Sequence, residues 1–365
     1  MSVEMLEQEE RKVLDQKRAE AFAGKMLGVV NSAALALMTS IGHRTLLFDV
    51  MAILPPATSL EIAAAANLQE RYVREWLGAM VTGGIVEYDA ATGAYELPAE
   101  HAAFLTRAAA PDNLAVTTQF VALLGAVEDR IVTCFHQGGG VPYSAFPRFH
   151  EVMAEESAQT VGAALVNSIL PLVPGAIEKL RAGVEVLDIG CGSGHSLNVL
   201  AAAFPASRFT GYDFSEESIA RGRAEAEREN LSNVRFATKD VTQFDERGRY
   251  DLITAFDAIH DQAQPRLVLR NIAAALRPAG VFLMQDIRSS SFVHKNSDQP
   301  VAPFLYTISC MHCMTVSLAA GGEGLGAMWG EEQSLSLLAA AGFGRVEVKQ
   351  LPHDFMNSYY IATKN

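Results

Sequence analysis

Short apolar runs separated by amphipathic segments fill the second half of the chain and restrict its fold more than any other feature. From Val184 onward they read VEVLDIG, RFTGYD, VRFATKD, YDLITAF and GVFLMQD. Short apolar runs that alternate with helical patterns are typical of a parallel sheet whose strands are joined by crossover helices. The sequence therefore predicts an α/β, Rossmann-like doubly wound domain over residues 181–365, with a non-periodic insertion at 289–330.

The length and charge of the chain narrow the remaining possibilities. A chain of 365 residues exceeds the size at which a single core stops growing, roughly 250 to 300 residues, so two domains are expected. A hydrophobic content of 49% with 19% charged residues describes an ordered globular protein. The net charge of −13 argues against a nucleic-acid partner, because affinity for phosphate backbones depends on Lys and Arg. We expect a small-molecule partner.

Membrane and export signals are not evident in the sequence. No uninterrupted apolar run reaches the ~18 residues of a membrane span, and the start, MSVEMLEQEERK, is charged and unlike a signal peptide. The four cysteines are too few for a disulfide scaffold in a chain of this length. We therefore expect a cytoplasmic protein with reduced thiols and no membrane partner.

A winged helix is predicted in the first domain, residues 1–110. One helix opens at Ser59, a turn follows at Asn67, and a second helix runs from about Glu70 to Val81 before a pair of glycines. Two short strands then flank DAATG, a glycine-containing hairpin loop. The domain is mostly helical, and this order of elements is that of a winged helix.

Winged helices often bind DNA, but the charge of this one favours another role. Residues 1–110 carry 9 Lys and Arg against 14 Asp and Glu. The preceding helix, GVVNSAALALMTSIG, lacks a polar face wide enough for a solitary surface helix, which indicates burial against a partner chain. We expect a dimerisation domain and a homodimer.

The middle of the chain, residues 111–180, is predicted to be a helical linker that contributes to the active site. Its helical pattern is interrupted by QGGGVPYSAFP, a loop rich in Gly and Pro. We expect this loop to join the two domains.

A glycine-rich turn follows the first strand of the second domain. The stretch DIGCGSGHS places Gly190, Gly192 and Gly194 where backbone must turn from strand to helix and lie against a ligand. Asp213, at the end of the next strand, fits the acid that holds a nucleotide ribose in such folds. The spacing is GxGxG and not the GxGxxG of dinucleotide sites, which favours a different cofactor.

These motifs carry a family resemblance. VLDIGCGSG, GYDFS, ATKDV and LRPAGVFLMQD resemble the motif series of class I S-adenosylmethionine (SAM)-dependent methyltransferases, over residues 184–365. The resemblance implies SAM as cofactor, with Asp213 bonding the ribose and Phe214 covering the adenine. It assigns these residues to the cofactor site: Asp188, Gly190, Gly192, Gly194, Asp213, Phe214, Asp240, Val241, Phe256 and Asp257.

The rest of the chain narrows the resemblance. A winged helix joined by FHEVMAEES to a SAM domain resembles the dimeric small-molecule O-methyltransferases of plants and actinobacteria. That likeness implies that Phe149 and Met153 face the cofactor or the substrate. The tail, with HCMTVSLAAGGEGLGAMWGEE and HDFMNSYY, is similar to a bacterial, mycobacterial-type group whose substrates are unassigned.

An ionisable cluster follows the fourth strand. His260 lies just beyond its C-terminal end, on the sheet edge where open α/β folds bind ligands. The O-methyltransferases have a His-Asp pair at the matching place, which His260 and Asp261 match, and its His is the general base. Gln262 stands where that family usually has Trp. A non-catalytic substrate contact and a structural cap are the alternatives for His260.

A base imidazole needs a partner for its second nitrogen, and Asp286 is our candidate. Asp286 ends the fifth strand, which this topology places beside the fourth, so the pairing with His260 is expected. Asp261 is expected to point inward less and to cap the helix around QPRLVLRNI.

The insertion is rich in Met, Phe, Tyr and Trp, as expected of a lid over an apolar pocket. Phe304 is a further candidate there, and the predicted substrate residues of the whole chain are Phe149, Met153, Tyr306, Met311, Met314 and Trp329. Cys310, His312 and Cys313 could supply metal ligands, but a second CxxC is lacking, so packed thiols are favoured and no metal is predicted.

Three functions follow from the sequence. The leading one is a SAM-dependent methyltransferase acting on a small, partly apolar hydroxyl, with His260 as base. A second methylates a thiol, thioether or amine, which needs no base. A third is a SAM-binding winged-helix regulatory protein.

Overall fold

The computed structural model describes residues 14–364, so the charged start of the chain lies outside the described residues. The chain divides into two compact units, of which the first ends at Ala108 and the second begins at Ala109. The loop QGGGVPYSAFP lies well inside the second unit, so the prediction that it joins the two domains is wrong. The physical reason is that its Val141 and Phe146 are buried in one apolar cluster with Phe149 and Val316.

The first unit is a winged helix. Its helices are α1 (Gln16–Arg44), α2 (Leu47–Ile53), α3 (Ser59–Ala66), α4 (Glu70–Thr82) and α5 (Ala99–Ala102), and its antiparallel strands are β1 (Glu87–Asp89) and β2 (Ala94–Glu96). Helix α3 begins with a capping box between Thr58 and Glu61 and ends at Asn67 in the left-handed conformation. Trp76 of α4 is buried, and its Nε1 donates to the carbonyl of Met38 at 2.8 Å. The predicted elements are therefore present.

Helix α1 exposes many large apolar side chains, namely Phe22, Met26, Leu27, Val29, Val30, Leu37 and Ile41. By length and composition alone, α1 and the helical stretch 302–319 could each cross a membrane; 44% of the second is buried inside the protein. An exposed apolar stripe of this length is typical of a contact surface. Burial of α1 against a partner chain stays a prediction.

The second unit is built on a seven-stranded sheet in the order β5-β4-β3-β6-β7-β9-β8. The strands are β3 (Glu185–Ile189), β4 (Arg208–Asp213), β5 (Val234–Thr238), β6 (Tyr250–Phe256), β7 (Leu276–Ile287), β8 (Arg345–Leu351) and β9 (Asp354–Thr363). Strands β3 to β7 pair in parallel, and β9 pairs antiparallel with β7 and β8. The predicted α/β doubly wound, Rossmann-like fold is confirmed.

Helices cover this sheet. They are α6 (Leu114–Gly125), α7 (Glu128–Gln137), α8 (Phe149–Ser157), α9 (Ala176–Ala182), α10 (His195–Ala203), α11 (Glu216–Arg228), α12 (Pro265–Ala275), α13 (Ala302–Ile308), α14 (Met314–Ala319) and α15 (Gly330–Ala340). The central strands are buried on both faces: Leu187 and Ile253 belong to one core cluster, and Val186 and Leu252 to another. Because β3, β4, β6 and β7 run parallel, their carboxyl ends meet at one edge of the sheet.

The insertion at 289–330 contains helices, although its sequence has no clear helical period. Helices α13 and α14 flank a π-helical turn, Ser309–Cys313. An apolar cluster that includes Phe120 of α6 and Phe149 of α8 also contains Val316 of α14. Packing against these two helices explains why the insertion is ordered as helix despite its weak pattern. Two further π-helical turns, Ala158–Gly162 and Leu165–Ile169, follow α8.

Candidate active site

The glycine-rich turn connects β3 to α10. Gly190 has a φ of 68°, and a Cβ at this position would come within 2.5 Å of the Ala258 Cβ. Only glycine fits this combination of left-handed backbone and close approach. The backbone N–H of Gly192 donates to Asp213 Oδ2 at 2.9 Å, so the turn is tied to the end of β4.

A cavity of about 620 Å³ opens at this turn, within the usual range for a small-molecule site. Nine of the ten residues assigned to the cofactor line it: Asp188, Gly190, Gly192, Asp213, Phe214, Asp240, Val241, Phe256 and Asp257. Gly194 does not line the cavity. It precedes α10 with a φ of 71°, and a Cβ there would meet the Phe236 ring at 2.4 Å, so its role is to let the helix start against that ring.

The aspartates of the cofactor wall differ in environment. Asp188 is buried, and burial raises the pKa of its carboxyl to about 7 although Thr254 Oγ1 donates to it at 2.6 Å. Burial also raises the pKa of Asp213, against the lowering effect of N–H groups from Ser215 and Gly192. Asp240 is exposed, and its carboxylate accepts hydrogen bonds from Thr242, which lower its pKa.

His260 and Asp286 form a buried pair at the same sheet edge. His260 Nδ1 lies 2.8 Å from Asp286 Oδ1, and both side chains are almost wholly buried. An ionised carboxylate only accepts hydrogen bonds, so the pairing assigns the proton to Nδ1. Burial by itself lowers the pKa of His260, but Asp286 and then Cys313 together outweigh it and raise the pKa well above its ordinary value. His260 lines the cavity, whereas Asp286 lies behind it.

The two residues after His260 also face the cavity. Helix α12 begins at Pro265 after Gln264, so Asp261 does not cap it, contrary to our expectation. Asp261 instead lines the cavity and accepts a long hydrogen bond of 3.5 Å from the Tyr143 hydroxyl. Burial raises the pKa of Asp261 to about 6. Gln262 Nε2 donates to the carbonyl of Ala258 at 2.8 Å, closing the turn that carries His260.

Asp257, which directly follows β6, has a left-handed φ of 49° and accepts a hydrogen bond of 3.2 Å from Gln285 Nε2. Burial, with the nearby Asp286 charge, raises its pKa to about 8. Ligand atoms of Asp257, His260 and Asp286 lie within 4.8 Å of one another, so these residue types could hold a metal ion. The Nδ1 of His260 is already engaged with Asp286.

The predicted substrate residues divide into two groups. Phe149 and Met153, together with the further candidate Phe304, line the cavity. Tyr306, Met311, Met314 and Trp329 do not line it, so the structure does not support them as substrate contacts. The Tyr306 hydroxyl accepts a hydrogen bond from Asn296 Nδ2 at 2.9 Å, and Met311 packs against the apolar cluster of Phe149 and Val316.

Trp329 has another partner. It is buried in the core of the sheet, and its Nε1 donates to Asp286 Oδ1 at 3.0 Å. The backbone N–H of Ile287 donates to the same oxygen at 2.8 Å. Asp286 is thus held from three directions, and sequence reasoning missed the contact with Trp329 because 43 residues separate the two.

An aromatic wall was also missed. The ring of His312 stacks on Phe149 with a centroid distance of 3.6 Å and an interplanar angle of 7°. Tyr143 packs edge-on against His312 at 4.8 Å and against Phe214 at 5.1 Å. Cys313 also lines the cavity, and it contributes to the raised pKa of His260. His312 and Cys313 stand out in the sequence as candidate metal ligands, but their pattern does not predict that they line the cavity.

Comparison with known proteins follows the two units. Residues 33–107 match the family model described as Rv2258c-like winged HTH domain, and residues 180–340 match that of a methyltransferase domain. A curated relative, the malonyl-[acyl-carrier protein] O-methyltransferase of Bacillus cereus, is 30% identical over 123 residues, which are 34% of this chain and 43% of the relative. The match spans less than half the length of that relative.

Solved structures match over nearly the whole chain. Human N-acetylserotonin methyltransferase in complex with SAM aligns with a TM-score of 0.68 and 15% identity, over 98% of this chain and 100% of the human one. Mitomycin 7-O-methyltransferase aligns with a TM-score of 0.68 and 17% identity, over 96% of this chain and 100% of the other. At these identities the likeness establishes the fold.

Proposed function

We propose that this chain, which joins a winged-helix domain to a methyltransferase domain with S-adenosylmethionine as cofactor, methylates a hydroxyl of a small, partly apolar acceptor with His260 as general base. The observation that carries the proposal is the hydrogen bond of 2.8 Å between His260 Nδ1 and Asp286 Oδ1 beside the cavity of the glycine-rich turn. This bond supports the proposal because it orients an imidazole beside the residues that we assign to the cofactor.

The charge of the cavity supports a cationic cofactor. Four carboxyl groups with raised pKa values line it: Asp188 and Asp213 are buried, and Asp257 and Asp261 are partly buried. Among the described residues, Lys239 is the one Lys or Arg side chain in that lining. Carboxyl groups in such a place are stabilised as carboxylates when a positive charge arrives. SAM supplies a methyl group on a positively charged sulfonium.

Residues of the turn fit that cofactor in shape as well. Ala258 occupies the space that a Cβ at Gly190 would need, so the position requires glycine. Without a side chain, the backbone of Gly190 can lie directly against a ligand. Asp213 has each carboxylate oxygen fixed by one backbone N–H, at 2.8 and 2.9 Å, and can still accept from ribose hydroxyls. Phe214 is half-exposed beside it and would cover the adenine.

His260 is placed to take the proton of the acceptor. With Nδ1 engaged by Asp286, Nε2 is the nitrogen that can accept a proton. Asp286 stabilises the imidazolium that results, as the raised pKa of His260 indicates after the opposing effect of burial. Proton removal matters for a hydroxyl, a weak nucleophile, and far less for a thiolate. The lining side chains Phe149, Met153 and Phe304 would pack on an apolar acceptor.

Assembly and location belong to the same proposal. The exposed apolar side chains of α1 support a homodimer formed through the N-terminal unit. The acidic composition supports a small-molecule acceptor over nucleic acid. We place the protein in the cytoplasm.

The test is incubation of the full chain with methyl-labelled SAM and separate panels of phenols, thiols and amines, measuring methylated mass and S-adenosylhomocysteine together. We expect phenols to be methylated, with and without a chelator. Transfer to thiols or amines alone would favour the second function. Tight SAM binding without transfer, together with salt-dependent binding of duplex DNA, would favour the regulatory one.

A further inference from the structure

His312 is a buried imidazole with unsatisfied polar atoms. Its side chain is 1% exposed, and neither Nδ1 nor Nε2 has a hydrogen-bond partner within residues 14–364. Buried polar groups in proteins are nearly always paired, because an unpaired one keeps its desolvation cost. His312 also lines the cavity. Because His312 lies in the cavity lining, a molecule bound there can supply that partner.

The aromatic wall defined above holds the ring in place. One face of His312 stacks on Phe149, and Tyr143 and Phe146 pack edge-on at 4.8 and 4.7 Å. Three aromatic contacts restrict the ring to one plane, so its nitrogens are pre-organised. Such preorganisation reduces the entropy lost when a ligand binds.

The imidazole is neutral. Burial, and then the neighbouring His260 and His150, lower the pKa of His312 well below its ordinary value. A neutral imidazole has one N–H donor and one acceptor nitrogen. It can therefore pair with a hydroxyl or a carbonyl without a charge on either side.

Neighbouring residues place His312 on the acceptor side of the cavity. His312 and Cys313, the next residue, line the cavity together with His260, and His260 is close enough to lower the pKa of His312. The glycine-rich turn and Asp213 belong to the cofactor wall on β3 and β4.

We infer that the acceptor carries, besides the hydroxyl that is methylated, a second neutral polar group that hydrogen-bonds to His312. The inference rests on the proposed function, since it assigns His312 to the acceptor of that reaction. The carboxyl groups of Asp257 and Asp261 face the same cavity and disfavour an anionic substituent. The acceptor class is therefore a largely apolar aromatic alcohol with a second hydroxyl or a carbonyl.

The experiment measures binding, so that it does not depend on turnover. The probes are 2-naphthol and the 2,3-, 2,6- and 2,7-dihydroxynaphthalenes, titrated into the protein saturated with S-adenosylhomocysteine. The variant His312→Phe keeps the ring and its stacking on Phe149 but removes both nitrogens. His312→Gln keeps a donor and an acceptor, and His136→Phe, on the exposed end of α7, is the matched surface control.

Wild type should bind at least one dihydroxy isomer on the order of ten-fold more tightly than 2-naphthol, the value of one hydrogen bond to a buried group. His312→Phe should abolish that preference without weakening 2-naphthol, His312→Gln should restore part of it, and His136→Phe should retain it. The inference is overturned if no isomer is preferred by the wild type, or if His312→Phe keeps the preference. If His312→Phe does not fold, His312→Ala replaces it in the same titration. Loss of the preference in His312→Ala would support the inference, and its persistence would overturn it.

Methyl transfer to the same naphthols is measured in parallel. A preference that depends on His312 without any transfer would contradict the proposed function and leave the His312 assignment standing as a binding site. Methyl transfer without a preference for a dihydroxy isomer would support the proposed function and overturn the assignment of His312.

Discussion

Trp329 donates its indole N–H to the Asp286 oxygen that faces His260. The Trp329 Nε1 to Asp286 Oδ1 distance is 3.0 Å, and the His260 Nδ1 to Asp286 Oδ1 distance is 2.8 Å. One carboxylate oxygen thus accepts hydrogen bonds from both side chains. The position of Asp286 therefore depends on Trp329, a residue that follows the cap helices. Trp329 is a positioning residue for the pair, whereas the sequence had suggested a substrate contact.

Replacing Trp329 by Phe tests this role. The substitution keeps an aromatic ring and removes the N–H, and losing a hydrogen bond to a charged group costs on the order of 1.5 kcal/mol. We expect kcat to fall about ten-fold with the KM for SAM unchanged. The carboxylate loses a stabilising donor, so its charge acts more strongly on the imidazole and the pKa of His260 rises further. If the pH dependence of kcat in Trp329→Phe matched that of the wild type, Trp329 would have a structural role only and would not tune the His260–Asp286 pair.

Activity should rise with pH into the alkaline range. Against the lowering effect of burial, Asp286 and then Cys313 raise the pKa of His260 well above its ordinary value, and only the neutral imidazole can accept a proton. kcat/KM should therefore increase with pH until the His260 pKa is passed. Asp286→Asn removes the raising charge, so in that variant the rise should move to lower pH while the maximal rate falls. A flat profile between pH 6 and pH 9 in the wild type would count against His260 as base.

Asp257→Asn should stabilise the ligand-free protein by an amount that grows with pH. Burial first, then Asp286, raises the pKa of Asp257 to about 8 in the folded state, from 3.8 when unperturbed. Between these values the unfolded chain has lost the proton and the folded one keeps it, so wild-type stability falls by up to about 1.4 kcal/mol per pH unit. Asn tolerates the left-handed backbone at this position.

Denaturant unfolding at pH 5 and pH 7 measures the effect. The gap in free energy of unfolding between Asp257→Asn and wild type should be wider at pH 7. Asp245→Asn, at a carboxyl that is 77% exposed, is the control and should show no comparable widening. A gap that is equal at both pH values would mean that Asp257 is not buried as a neutral acid.

Gly190→Ala should abolish SAM binding. Its Cβ would lie 2.5 Å from that of Ala258 on a backbone with φ of 68°, so the turn has to move. We expect the Kd for SAM to rise by about a hundred-fold or more, as calorimetry would show, because the backbone lies against the ligand. Gly93→Ala, with φ of 74° and nothing within 4 Å, shares the backbone strain and should bind SAM normally. Equal SAM binding by both variants would contradict the claim that the backbone at Gly190 lies against the cofactor.

Local patterns predicted the sheet edge well. The ends of β6 and β7 could be placed together because adjacent parallel strands share an edge, and the pairing of His260 with Asp286 is found there. The turn at Gly190 followed from the need for backbone without a Cβ. These features depend on chain direction and strand order, which a sequence expresses directly.

Contacts made by the cap could not be predicted in the same way. Tyr306, Met311, Met314 and Trp329 were chosen by composition, which does not say which side of a helix faces a cavity. The π-helical turn at Ser309–Cys313 changes that facing and brings His312 and Cys313 to the lining. The loop around Tyr143 was misjudged because its burial depends on α6, α8 and α14 together.

The most direct test of the central claim is the single-turnover rate of methyl transfer from SAM to a phenol that the wild type methylates, compared between wild type and His260→Ala. General base catalysis of this kind contributes about 10²- to 10⁴-fold. The account predicts a loss of that size with the Kd for SAM changed less than about two-fold, since His260 is not among the residues assigned to the cofactor. A rate within about three-fold of wild type would contradict it.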